Sequence, residues 1–188
     1  MNDGFTMPVQ WRSVMATKDT AYNFPQKFTR LMKDAYSLPA VYRWKVLRTQ
    51  AERSKECIYI GEGEDLIRRM QRVLTPPKET KKGNTNRRLH DIFAKYVTEG
   101  RTIVIEFADV EPFEVNGVRL GRDTIGDRFK RRAIENLLLA IAQQSMVQQP
   151  DVWELLNIFI DPEEKVRREI LKLPPHTIRE LLKKYGHE

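Results

Sequence analysis

The chain has 188 residues, enough for one compact domain with terminal additions, and its 40% hydrophobic content excludes wholesale disorder. One cysteine, Cys57, excludes a disulfide framework and implies a reducing, cytoplasmic setting. The scattered histidines His90, His176 and His187 exclude a zinc-ligand spacing. No run approaches the roughly 18 apolar residues of a membrane span, and MNDGFTMPVQWRS lacks a secretion-signal pattern. The net charge is +7, and it is uneven: residues 1–38 carry +2, 39–100 carry +6, 101–150 balance, and 151–188 carry −1. A basic field over the middle of the chain attracts polyanions, nucleic acid first among them, although a solvated surface gives the same count.

Residues 1–38 read as an arm and one short helix, with Pro25 opening it and Phe28, Leu31, Met32 and Ala35 at helical steps. After Pro39, AVYRWKVL predicts a strand. The polar RTQAERSKE separates it from a second strand at CIYIG, so the two form a hairpin with a long loop. The acids of Gly63-Glu64-Asp65 suit the start of a helix over DLIRRMQRVL. In that helix Leu66, Ile67, Met70, Val73 and Leu74 share a face, and the arginines lie elsewhere. TPPKETKKGN is a loop. NRRLHDIFAKYV has helical spacing at Leu89, Ile92, Phe93, Tyr96 and Val97, and RTIVIEFADV alternates as a strand at Ile103, Ile105 and Phe107. PFEVNGVRLGRDTIG reads as a loop before a long helix through FKRRAIENLLLAIAQ. A helical tail is broken at Leu173-Pro174-Pro175, with Thr177 and Glu180 at capping-box spacing. The order β-β-α-α-β-α predicts an α+β fold: a small, mainly antiparallel sheet of about three strands flanked by helices. The expected division is an arm and helix at 1–38, a central domain at 39–147 and a helical extension at 148–188.

Two dinucleotide and nucleotide motifs are absent. Gly61-Glu62-Gly63 lacks a third glycine, and no Walker-type loop appears.

Four short features together resemble the GIY-YIG nucleases. Ala40-Val41-Tyr42 stands for the first strand motif and Tyr59-Ile60-Gly61 for the second. Arg69 falls eight residues past that glycine, and RAIENLLLA places Glu135 where the family carries a glutamate on a helix. The similarity spans roughly residues 39–145. YIG alone is a weak pattern, and its specificity comes from the arginine, the glutamate helix and the element order together. Ala40 replaces glycine, and Tyr42 and Tyr59 stand 17 residues apart, a longer spacing than is usual for the family. Val73 occupies the position, four after the arginine, where many members have His or Tyr. Asn157 is a loosely spaced candidate for the family's later asparagine.

The resemblance implies a metal-dependent DNA endonuclease, with Tyr42, Tyr59, Arg69 and Glu135 as catalytic residues. Glu135 is the implied ligand of a divalent ion, Mg²⁺ or else Mn²⁺, which keeps several waters when one carboxylate holds it. The guanidinium of Arg69 matches phosphate oxygens. Nearby positive charge favours a phenolate, which would make Tyr42 or Tyr59 a water activator. Arg68, Arg72, Lys81, Lys82, Arg87 and Arg88 are candidate nucleic-acid-binding residues, with a solvated face as the plain alternative. DNA is the implied partner and a membrane is not. A restriction-type enzyme this small needs a homodimer to cut both strands. A repair or branched-DNA nuclease and a catalytically inactive DNA-binding module are the alternatives. For Glu135 the ordinary alternative is an ion pair to Arg131 or Arg132.

Overall fold

The structure is a computed structural model and describes residues 7–48, 55–76 and 85–157. Its elements are β1 (Val9–Ser13), α1 (Arg30–Tyr36), β2 (Ala40–Val46), β3 (Glu56–Gly63), α2 (Leu66–Leu74) and α3 (Thr85–Thr98). These are followed by β4 (Ile103–Val110), β5 (Phe113–Val115), β6 (Val118–Leu120), a short 3₁₀ turn at Arg122–Thr124, α4 (Arg128–Gln148) and β7 (Trp153–Leu155). The fold is α+β, built on a five-stranded sheet in the order β1-β4-β2-β3-β7. All its pairings are antiparallel except the short parallel one between β3 and β7. No helix among the described residues is long and apolar enough to cross a membrane.

β2 is the central strand, and this explains its near-continuous apolar run, since neighbours and helices cover it on both faces. One face carries Tyr42, Trp44, Val46, Cys57, Tyr59, Ile103 and Ile105, which pack with α1, α2 and α3. The other carries Val41, Ile58, Ile60, Ala108 and Val110 beneath Ile134, Leu138 and Ala142 of α4. Charged residues interrupt this second face, and each is matched: Arg43 pairs with Glu106 and Lys45 with Glu56.

Pairing of Tyr42 with Gly61 and of Trp44 with Tyr59 fixes the register of the hairpin. Its far end is clasped by the buried Arg101, which donates to the carbonyls of Val46 (3.3 Å), Leu47 (3.2 Å) and Lys55 (2.6 Å). The same guanidinium lies 4.6 Å from the centre of the Tyr96 ring. Three backbone acceptors, from the end of β2 and the start of β3, thus share one charged donor set.

Several expectations are corrected. The sheet has five strands rather than about three. The segment expected to be an arm supplies β1, which pairs with β4 from Val9↔Val110 to Ser13↔Glu106. The first helix does not open at Pro25. It begins after Thr29, whose hydroxyl accepts from the Met32 amide at 3.2 Å. The expected loop before α4 contains the β5–β6 hairpin, turned at Asn116 (φ 49°) and Gly117 (φ 74°). Asn-Gly is the residue pair this left-handed turn favours. The region read as the start of a helical tail contributes β7, which is too short for its period to show in the sequence. Leu173-Pro174-Pro175, Thr177 and Glu180 lie outside the described residues.

Candidate active site

Tyr42 and Tyr59 stand on adjacent strands and project from the same sheet face, both buried. Gly61 lies directly across from Tyr42, and its lack of a side chain is a steric requirement. A Cβ there would sit 2.7 Å from the Tyr42 Oη and 2.9 Å from its Cζ. The glycine of the Tyr59-Ile60-Gly61 motif therefore makes room for the other motif's tyrosine.

After Gly63 the chain turns into α2. The Asp65 side chain accepts from the Arg68 amide at 2.9 Å, and the Leu66 amide donates to the Leu38 carbonyl at 3.0 Å. This capped first turn, with Leu66, Ile67 and Met70 in the core, sets the azimuth of Arg69. The Arg69 Nε donates to the Tyr42 Oη at 3.1 Å, and its charge and hydrogen bonding also act on Tyr59.

Glu135 approaches from α4, in the other layer. Residues of both layers act on its carboxyl: Glu62, Arg131 and Arg132 from its own side, and Arg69 from across the sheet. Burial first, then the neighbouring Glu62 charge, push its pKa up to about 7, and Arg132, Arg69 and Arg131 oppose the rise. The Glu135 charge is in turn felt by both Tyr42 and Tyr59. The structure thus brings Tyr42, Tyr59, Arg69 and Glu135 into one electrostatic neighbourhood at the open end of β3.

The tyrosines differ from expectation in their protonation. Burial is the largest influence on each phenol and pushes it upward, away from ionisation, outweighing the attraction of Arg69. Both enter the site as neutral hydroxyls able to donate and accept hydrogen bonds.

The arginines weighed as the ordinary alternative partners of Glu135 pair with Glu62 instead. Arg131 is buried and donates through Nε to Glu62 at 2.7 Å and through Nη1 to the carbonyls of Ile125 (2.9 Å) and Gly126 (3.2 Å). Arg132 lies 3.6 Å from the same Glu62. Among the described residues no ion pair closes on Glu135 itself. Sequence reasoning named Arg131 but with Glu135 as its partner, and it missed Glu62, whose signal was an acid directly after Gly61 together with consecutive arginines one turn before Glu135.

Asn157 finds a backbone role. Its Oδ1 accepts from the Ile60 amide at 2.8 Å and its Nδ2 donates to the Ile60 carbonyl at 2.7 Å. The side chain acts as one more strand pairing beyond β7, holding the peptide units between Tyr59 and Gly61. Val73 is fully buried in the core and offers no titratable group. The His90 Nδ1 lies 2.9 Å from the Val73 carbonyl, which can only accept, so the proton is on Nδ1.

Of the candidate nucleic-acid contacts, Arg68 and Arg72 are exposed on α2. Arg87 pairs with Asp91 at 3.1 Å, and Arg88 is half-buried. Lys81 and Lys82 lie outside the described residues. Among the described residues no group of three or more His, Cys, Asp or Glu side chains could hold a metal ion. Glu62 is engaged by Arg131 and Arg132, which leaves Glu135 as the carboxylate of this cleft that could hold a metal. A buried carboxyl that has a second carboxylate beside it and no ion-pair partner suits a divalent cation as the compensating charge.

Comparison of the chain with family models, curated proteins and solved structures gives no match.

Proposed function

We propose that this chain is a metal-dependent endonuclease of the GIY-YIG type that hydrolyses phosphodiester bonds in DNA. One observation carries the reading. The Arg69 guanidinium meets the Tyr42 phenol at 3.1 Å, and the same charge acts on Tyr59 and on Glu135. Phosphodiester hydrolysis needs those parts: a fixed cation for the phosphate oxygens, hydroxyls to orient a water, and a carboxylate for a metal.

Arg69 holds the phosphate with donors not spent on Tyr42. The neutral Tyr42 and Tyr59 hydroxyls orient the attacking water and a non-bridging oxygen. The water oxygen forms the new bond to phosphorus and gives up its proton to solvent as the bond to the leaving oxygen breaks, and that oxygen takes up a proton. Glu135 would hold the divalent ion, which would supply positive charge for the developing oxyanion and an acidified water as proton source. Arg131 keeps Glu62 in place beside Glu135.

The test is supercoiled plasmid with Mg²⁺, using the parent chain beside Glu135→Ala. Nicked or linear product from the parent alone supports the reading, and identical behaviour of the two proteins refutes it. The buried Val73, where many GIY-YIG members have a proton-transfer group, favours a second reading as a DNA-binding module. Salt-dependent binding without cleavage is its signature. Within the nuclease reading, cut sites mapped on random-sequence DNA separate a restriction-type dimer from a repair or branched-DNA enzyme.

A further inference from the structure

We propose that Arg132, with Arg128 one turn before it, forms a phosphate-binding stripe on α4 that holds the backbone phosphates next to the one being cut. This rests on the reading of the cleft as a nucleic-acid site and adds the path of the cut strand through it. An exposed arginine is ordinary in itself, so the argument lies in how these two stand to Glu135 and in what their charge is free to do.

Both lie on the flank of the helix that carries Glu135. At about 100° per residue, Glu135 is turned about 40° from the buried Arg131, Arg128 about 60° and Arg132 about 100°, all to the same side. Along the axis Arg132 precedes Glu135 by about 4.5 Å and Arg128 by about 10.5 Å, at about 1.5 Å per residue. The electrostatics agree with this placement. Burial and the Glu62 charge raise the Glu135 carboxyl, and of the three arginines that oppose them Arg132 acts most strongly, ahead of Arg69 and Arg131.

Two arginines share the single carboxylate of Glu62, which leaves one positive charge over. Arg131 is the partner that uses it, buried and donating through Nε at 2.7 Å. The Arg132 Nε lies 3.6 Å from Glu62, beyond hydrogen-bond reach, and the side chain is 53% exposed. Arg132 therefore keeps its fork of donors for another anion. Arg128 is exposed and forms no ion pair with another described residue. From Arg128 to Ile134 the helix carries four cations and no acid. That order sets positive side chains at the positive end of the helix dipole, which disfavours the empty fold and favours an anion beside them. The Asp127 carboxylate already caps the amides of Phe129 and Lys130, so the site is made by side chains and not by the helix end.

The two layers then supply opposite walls of one channel. Arg69 reaches in from α2 and takes the phosphate that is cut, and Arg132 reaches in from α4 and takes the next. Arg128 stands about 6 Å further along the axis, between one and two base steps of about 3.4 Å. A backbone that passes Glu135 therefore runs on towards the start of α4. Phosphate contacts carry no sequence information, so the stripe contributes affinity and register without choosing a base.

The test uses the full chain in chelator and a fluorescein-labelled DNA duplex, with anisotropy read across a salt series. Arg132→Gln should weaken binding and flatten the slope of log affinity against log salt by about 0.9, Arg128→Gln should do the same, and the double variant should flatten it by about 1.8. Arg132→Lys keeps the charge and should keep the slope. Lys95→Gln removes one charge from α3 beside Tyr96, at the far end of the hairpin, and should match the parent. The Tm of both glutamine variants should equal or exceed that of the parent, because each takes a cation from the positive end of the dipole. A slope unchanged by Arg132→Gln, an equal change on Lys95→Gln, or absence of DNA binding by the parent would each overturn the stripe. A fall in Tm with an unchanged slope would overturn it as well, by making Arg132 a structural partner of Glu62. Failure of the nuclease reading is visible separately: a parent that binds with the stripe-dependent slope but shows no Glu135-dependent cleavage in Mg²⁺ keeps the stripe and loses the catalysis.

Discussion

A carboxyl held for a cation should be a liability to the metal-free fold, and Glu135 allows this to be measured. Burial and the Glu62 charge raise its pKa from 4.5 to about 7. In the unfolded chain it ionises through about 4.5, and in the folded chain through about 7. The folded state thus binds the extra proton between those values, and stability falls as pH rises across that window. Below it the carboxyl is neutral in both states and costs nothing, and above it the full cost is present. At about 1.36 kcal/mol per pH unit the rise corresponds to roughly 3 kcal/mol, and residual solvent access reduces this to about 2–3 kcal/mol. Glu135→Gln keeps the shape and removes the charge. At pH 8 in chelator it should be more stable than the parent by about that amount. For a chain of this length the gain is a rise in Tm of about 4–12 °C. The advantage should vanish near pH 4.5, and saturating Mg²⁺ should raise the Tm of the parent while leaving the variant unmoved. Differential scanning calorimetry of both proteins at several pH values, with and without Mg²⁺, makes the comparison. A variant no more stable than the parent at pH 8, or an advantage independent of pH, would refute the reasoning.

Three further outcomes follow from the same geometry. Gly61→Ala places a methyl 2.7 Å from the Tyr42 Oη, so it should cost about 1–3 kcal/mol in denaturant unfolding and displace the hydroxyl from Arg69. Combined with Tyr42→Ala its cost should shrink, and additive costs would contradict the clash. Arg131→Met strands Glu62 against α4 and should destabilise by about 3–5 kcal/mol, while the double variant with Glu62→Gln recovers much of the loss. Equal instability of single and double variants would place the function of Arg131 in its carbonyl contacts alone. Asn157→Ala removes both hydrogen bonds to Ile60 and should cost about 1–3 kcal/mol, with faster amide exchange at Ile60 as its local signature. Unchanged exchange at Ile60 would remove the positioning role.

Much of this architecture is written in local pattern. β2 and β3 are apolar runs bounded by Pro39 and Gly63, and α2 and α3 carry one apolar stripe each. Asp65 marks a helix start by its own chemistry, because an N-cap is satisfied within three residues. The grouping of Tyr42, Tyr59, Arg69 and Glu135 was expected only because the resemblance to the GIY-YIG motifs implied it; strand period and helix azimuth by themselves set which face each side chain takes within its own element. The turn at Asn116-Gly117 was equally local, and its signal was passed over.

Other features depend on partners far along the chain. β1 and β7 are short, and they become strands only because β4 and β3 offer unpaired edges to them. Arg131 looks like any surface arginine until Glu62, 69 residues away, meets it across the layer. The ionisation of the tyrosines was decided by burial, which depends on the helices that close over the sheet. Side-chain spacing is a property of the backbone and can be read from order alone. Which charge neutralises which, and how far water is excluded, are properties of packing and exist only once the layers come together.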